Sequence, residues 1–191
     1  MTDTLKPLPK GYAWLDEVDQ PARILTAMRR LYGTLETPGP GDNPTIMAWA
    51  REVGGEVAET YRADAIPWCG LAMAVAARRA GYEPPRHPLW ALSWSAFGDL
   101  VDEPGLGDVL VFVRRDAQGK RVGGHVGVYV GEDSQAFHVL GGNQSDAVTV
   151  ARIRRKNLYA ARQCPWRIGR PPSALPRRLT SGGLPTEDRL T

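Results

Sequence analysis

Val109-Leu-Val-Phe-Val113, the polar turn Arg114 to Lys120, Val126 to Val130, Ala136 to Leu140 and Val148 to Ile153 are the stretches that decide the fold. Each apolar run has strand length and each is bounded by turn residues. They therefore predict an antiparallel sheet of strands that follow one another in the chain. Upstream the period changes. Pro21 suits the first turn of a helix that carries Ile24, Leu25, Met28 and Leu31 on one face. Thr37-Pro-Gly-Pro-Gly-Asp-Asn-Pro44 ends that region, because glycine and proline at this density cannot continue a helix. A second helix is expected after Asn43-Pro44 through Ile46, Met47, Trp49 and Ala50. A third runs from Cys69 to Arg79, with Gly81 in the usual position beyond a helix end. Leu92 to Phe97 reads as a short helix. Helices first and strands afterwards make the class α+β, with N-terminal helices packed on a small antiparallel sheet.

The chain's 191 residues suit one globular domain, and 42% apolar with 24% charged residues is ordinary globular composition. Residues 1–20 read as an N-terminal arm, 21–170 as the domain and 171–191, rich in proline and glycine, as a tail. No apolar run reaches the length needed to span a bilayer, so no stable membrane insertion is expected. Met1-Thr-Asp-Thr-Leu-Lys-Pro-Leu-Pro9 lacks the apolar core of a secretory signal. The two cysteines, Cys69 and Cys164, have no metal-ligand spacing and are too few for a disulfide scaffold. Charge is unevenly placed. Residues 152–191 hold ten Arg or Lys against Glu187 and Asp188, which leaves the first 151 residues net acidic. This basic run reads first as a solvated face and second as a footprint on an anionic surface. It lacks interleaved aromatics, so nucleic acid is not an expected partner.

The chemistry gathers at three places. Cys69, in Ile66-Pro-Trp-Cys-Gly-Leu71, stands where a turn hands over to a helix. Unpaired amides and the positive end of the helix dipole there favour a thiolate and could stabilise an oxyanion. A small buried hydrophobe is the other reading of a lone cysteine. His125, in Gly123-Gly-His-Val-Gly-Val-Tyr-Val130, sits at a strand mouth with little bulk beside it. It can draw a proton from a thiol and return it to a leaving amine, or be a turn histidine held by a carbonyl. Asn143 follows Gly141-Gly142, and its amide can orient an imidazole as the third member of a triad or simply make the turn. A thiolate–imidazolium pair at rest would alkylate well below the ordinary thiol pKa of about 8.5.

In their order along the chain these pieces resemble the papain-like cysteine peptidases and amidases of bacterial cell walls, the NlpC/P60 and CHAP group. They are most similar to a phage- and prophage-associated NlpC/P60-like subfamily. The likeness covers about residues 31–170. It rests on Leu31-Tyr-Gly-Thr-Leu-Glu36, Asp42-Asn-Pro-Thr-Ile46, Asp64-Ala-Ile-Pro-Trp-Cys69, Ala91-Leu-Ser-Trp94, Gly107-Asp-Val-Leu-Val-Phe112, Gly124-His-Val-Gly127 and Val139-Leu-Gly-Gly-Asn-Gln-Ser-Asp-Ala-Val148. One departure is Cys69-Gly70-Leu71-Ala72, where the group often has Cys-Ala-Ala-Phe. The resemblance implies Cys69 as nucleophile, His125 as base and Asn143 as the orienting residue. It further implies a peptidoglycan hydrolase, amidase or endopeptidase, working without metal or cofactor. A monomeric endolysin made in the cytoplasm, and reaching periplasm or wall through a holin or a secretion machine, is the expected setting. A delivered antibacterial effector, an acyl or peptide transferase, and a catalytically silent wall-binding or phage structural module are its rivals.

Other residues carry weaker expectations. Trp68, Gly70, Asp64, Trp94 and Gly124 are candidate substrate-binding residues. The tryptophans suit a groove for sugars or peptide stems and suit a core equally, while Asp64 is read more readily as structural. His138, between Phe137 and Val139, is the rival for the triad's third place. The simplest pleat sends Phe137 and Val139 to the core and His138 to the other face. Asp108 is expected to fix a turn, His87 to sit in a loop and Cys164 to be an inert thiol.

Overall fold

The structure is a computed structural model that describes residues 5–166 and 169–186. Four α-helices precede the main sheet: α1 (Arg23–Leu31), α2 (Pro44–Val53), α3 (Gly55–Thr60) and α4 (Cys69–Arg79). α1 forms where the apolar spacing predicts it, with Ile24, Leu25, Met28 and Leu31 buried. α2 starts at Asn43, whose side-chain oxygen accepts from the amides of Thr45 and Ile46, with Pro44 in the first turn. α4 is apolar on every side, and every residue from Cys69 to Ala77 is buried. Its alanines let α1, α2 and the sheet approach it closely.

Six strands follow: β1 (Asp99–Leu100), β2 (Val109–Arg115), β3 (Arg121–Glu132), β4 (Ala136–Gly141), β5 (Thr149–Arg154) and β6 (Leu158–Gln163). They form one antiparallel sheet in the order β1-β6-β2-β3-β4-β5. The α+β class holds. β3 extends well upstream of Val126 because the pair Gly123-Gly124, which breaks the apolar alternation, still ladders with Arg114 and Val113. Residues 10–17, α3, β1 and β6 form elements that the apolar pattern does not announce.

Both faces of the sheet are covered at its centre. Val109, Val111, Val126, Val128, Val130 and Leu140 join the helices in the main core. Leu110, Phe112, Tyr129, Phe137, Val139 and Ala161 make a smaller cluster on the opposite face. This corrects the orientation expected of β4. Phe137 and Val139 occupy the smaller cluster, and His138 is fully buried beneath Tyr12. Two apolar neighbours show that one face is covered without telling which face it is.

The two end segments pack onto the domain. Residues 10–17 form a 3-10 helix whose Tyr12 and Leu15 enter the core, and Trp14 Nε1 donates to the Gly183 carbonyl at 2.9 Å. The Leu179 amide donates to Glu132 O and the Glu132 amide to Arg177 O, both at 2.8 Å, so residues 177–179 lie along the end of β3. The basic run is largely used in this packing. Arg152 pairs with Asp133, Arg155 and Arg178 with Glu132, and Arg170 with Asp108. Arg162 donates to the carbonyls of Phe97 and Gly98. Arg154 and Lys156 stay exposed, whereas Arg167 and Arg189 lie outside the described residues.

Candidate active site

Cys69 is the first residue of α4, and Trp68 before it supplies no side-chain cap, so first-turn amides are available. The amides of Val126, Gly70 and Cys69 itself face Sγ. Val126 adjoins His125, so the thiol rests against the stretch of β3 that carries the imidazole. Cys69 is only 6% exposed. Burial raises its pKa, and the three amides, with Arg114 more remotely, oppose that rise without cancelling it.

His125 and Cys69 line one cleft of about 740 Å³, together with Pro67, Gly124 and Asn143. Its Nε2 lies 3.0 Å from Gln144 Oε1. The amide of Gln144 is held on its other side. Its NH2 donates to the carbonyls of Val139 at 3.1 Å and Gly141 at 3.2 Å, and to that of Thr149. Carbonyls only accept, so the amide nitrogen must face them and the amide oxygen must face the imidazole. Nε2 therefore carries the proton, and Nδ1 keeps a free lone pair. Burial lowers the His125 pKa to about 4, against the raising effect of the Gln144 bond, with Arg114 lowering it further. Both shifts favour thiol and neutral imidazole over the ion pair. The ion pair expected at rest is not what these surroundings favour, because both groups lose more to burial than the helix start and the amide return.

The contact expected of Asn143 is made by its neighbour. Asn143 lines the cleft but does not hold the imidazole; Gln144 does. Asn143 has φ +55°, and Ser145 and Asp146 follow with φ +52° and +58°, so this turn rotates consecutive side chains in directions that strand parity does not give. The turn itself is seated by Gly142. A Cβ there would lie 2.6 Å from Ala72 Cβ and 2.8 Å from Trp68 Cζ3, so the glycine lets the Gln144 turn rest on α4.

Of the five candidate substrate residues, Gly124 lines the cleft. Trp68 is fully buried and donates from Nε1 to Glu36 Oε2 at 2.9 Å, and Trp94 is fully buried and donates to Pro88 O at 2.9 Å. Both are core residues. Asp64, 2% exposed, accepts from the amides of Thr37 and Asn43 and so stitches the loop before α2. Gly70 is required by the protein's own chain: a Cβ would lie 2.3 Å from Pro88 O and 2.7 Å from Leu89 O.

His138 is enclosed. Tyr12 Oη lies 2.7 Å from its Nδ1 and Asp133 Oδ2 2.8 Å from its Nε2, away from the cleft. Asp108 fixes its turn by accepting from the Gly105 amide and pairing with Arg170, and burial lifts its pKa to about 6. Burial pushes the Cys164 thiol up to about 12, aided by nearby Asp108, which makes it unreactive. His87 pairs with Glu56 at 3.0 Å on the surface. Among the described residues no group of three His, Cys, Asp or Glu side chains is placed to hold a metal ion, and no helix is long and apolar enough to cross a membrane. Searches of protein-family models, curated proteins and solved structures found no match to this chain.

Proposed function

We propose that this protein is a cysteine hydrolase that cleaves an amide bond in the peptide part of bacterial peptidoglycan. The observation that carries the reading is the Gln144 amide, locked by three carbonyls so that His125, which lines one cleft with Cys69, keeps Nδ1 unprotonated. An inert buried thiol does not need an imidazole held in one tautomer beside it.

The chemistry follows from that arrangement. His125 Nδ1 takes the Sγ proton as the sulfur attacks the scissile carbonyl carbon, and the first-turn amides of α4 receive the developing oxyanion. The imidazolium gives the same proton to the leaving nitrogen, the C–N bond breaks and an acyl-thioester remains. Water then loses a proton to Nδ1 as its oxygen attacks the thioester carbon. The proton returns to sulfur and the carboxylic acid departs. Gln144 accepts from Nε2–H throughout, so the ring neither turns nor changes tautomer. The choice of peptidoglycan as substrate is supported by the ordered motifs from Leu31 to Val148 and their resemblance to wall hydrolases.

The test is digestion of purified sacculi followed by mass spectrometry of the soluble fragments. The native protein should release peptide-bearing fragments with a new amine and a new carboxylate. Cys69→Ala should release none while melting like the parent, and Cys164→Ala should remain active. Equal release by Cys69→Ala would overturn the reading.

A further inference from the structure

Two recesses that the hydrolytic chemistry does not use meet on α1. One is an apolar pocket of about 180 Å³ between the N-terminal segment and α1, walled by Leu5, Leu15, Val18, Pro21 and Leu25. The other is a groove of about 700 Å³ between α1 and the end of α4 away from Cys69. Arg23, Arg30 and Arg79 line it, with no carboxylate among its lining residues. Thr26 and Arg30 belong to both walls, so the apolar pocket adjoins the basic groove. Arg79 is committed to Glu52, at 2.8 and 2.7 Å. Arg23 and Arg30 are exposed and make no ion pair or side-chain hydrogen bond to any described residue. The Arg23 guanidinium lies 4.7 Å over the Tyr82 ring, with Nη1 3.3 Å from where a Cβ of Gly81 would stand, which holds its charge at the groove. The pocket wall includes Asp16, the partner of Arg29, whose side chain is 8% exposed. Arg29 Nε and Nη2 donate to the two Asp16 oxygens at 2.7 and 2.8 Å, and its Nη1 is buried without a partner among the described residues. A buried donor left unbonded is costly and favours whatever brings it an acceptor or negative charge.

We infer that the two recesses form one binding site for a free anionic amphiphile, with a phosphate head in the basic groove and a short alkyl tail in the apolar pocket. The inference does not depend on the hydrolase reading. Arg23 and Arg30 stand seven residues apart, close to two turns, so both guanidinia reach over the same side of α1. A phosphate has oxygens enough to accept from both, and guanidinium suits it in geometry and charge. The tail then covers apolar side chains beside the head, which neither recess alone explains. Leu5 is the only exposed large apolar side chain among the lining residues. This face therefore offers little for insertion into a bilayer and suits a single molecule.

The test titrates the full chain calorimetrically with hexyl phosphate, ethyl phosphate, inorganic phosphate and hexanol, each as monomer, so that head and tail vary separately. Hexyl phosphate should bind saturably and at least about tenfold tighter than ethyl phosphate, since each fully buried methylene is worth about fourfold. Hexanol should bind about tenfold weaker than hexyl phosphate, the loss expected when charge-assisted hydrogen bonds are removed. Arg23→Gln and Arg30→Gln should each bring hexyl phosphate down towards hexanol. Thr26→Trp, which adds bulk from an exposed position to the wall that both recesses share, should weaken hexyl phosphate and hexanol alike. The variants are compared only when they melt like the parent, and the ligand series on the native protein decides without them. Equal binding of hexyl, ethyl and inorganic phosphate would leave an adventitious ion only and overturn the inference, as would binding of none. Capture by phosphatidylglycerol vesicles without binding of monomeric hexyl phosphate would overturn it in favour of a membrane surface.

Discussion

The molecule holds two histidines in matching frames, and only one of them faces a cleft. His125 donates from Nε2 to an amide oxygen, and His138 donates from Nε2 to the Asp133 carboxylate. In both, burial lowers the pKa and so favours the neutral ring. The difference lies at Nδ1. Tyr12 O–H donates to it in His138, whereas in His125 no described residue bonds to it and the ring lines a cleft with Cys69. Burial acts to raise the Asp133 carboxyl, but bonds from the Gln135 amide, His138, Arg152 and the Ala136 amide outweigh it and hold the group well below the carboxylate range. The enclosed network is therefore electrostatically stronger than the one in the cleft. A well-ordered hydrogen-bond chain marks a fixed imidazole; an uncommitted lone pair with access marks a working one.

The sharpest way to break this comparison is to truncate each ring. His125→Ala should lower turnover on sacculi by about 10²–10⁴, the usual contribution of a general base, with the melting temperature little changed. His138→Ala should do the reverse. It leaves a cavity and strips partners from two buried polar groups, at about 2–5 kcal/mol, which lowers the melting point by about 5–15 °C. Tyr12→Phe removes only the hydroxyl and should cost about 1–2 kcal/mol with turnover kept. Loss of turnover in a folded Tyr12→Phe would show that the enclosed network serves the chemistry.

Neighbouring amides sharpen it further. Gln144→Ala should lower kcat more than tenfold, with KM little altered, because the ring is free to turn. Asn143→Gly, which keeps the left-handed backbone accessible, should act mainly on KM because Asn143 only lines the cleft. A severe kcat loss in Asn143→Gly beside a silent Gln144→Ala would return the orienting role to Asn143.

The smallest effects are those of pH. The base must be neutral, so the acid limb of kcat/KM should fall near pH 4 and not near 6.5. Iodoacetamide should label Cys69 slowly at neutral pH and faster as pH rises above the ordinary thiol range, since burial raises that pKa. A labelling plateau between pH 5 and 8 would restore the resting ion pair. Both histidines have folded pKa values below the unfolded 6.5, so between those values the unfolded chain binds more protons. Their contribution to stability should be complete above about pH 6.5 and decline as pH falls towards 4, which thermal melts across that range would detect.

Much of the fold could be read from the chain because periodicity reports burial directly. α1, α2, α4 and the strands from β2 to β5 form where Met28, Ile46, Leu71, Val111 and Val139 fall in helical or alternating patterns. β6 was not legible, because Tyr159, Ala160 and Arg162 alternate too weakly to distinguish an inner strand from a loop. Residues 10–17 were hidden by Pro7 and Pro9 just before them and by their own charges, and only Tyr12 and Leu15 are buried there. At the site, Cys69 and His125 were legible because a helix start and a strand mouth leave marks in sequence. Choosing between Asn143 and Gln144 depends on a turn in which Asn143, Ser145 and Asp146 are left-handed, none of them glycine, and no local rule assigns those.

The hydrogen bond from Trp14 to Gly183 joins positions 169 residues apart. Such a contact closes nearly the whole chain into one loop and can form only after the intervening sheet has brought its ends together. During synthesis α1, α2 and α4 emerge long before Gly183, so the Tyr12 and Trp14 segment must wait without its partner while the rest of the core collapses. Refolding should therefore be biphasic. A fast phase assembles helices and sheet with the Cys69 cleft, and a slower phase seats residues 10–17 against 177–183, followed by Trp14 fluorescence. A polypeptide stalled before Gly183 would already carry its cleft and still lack its clasp.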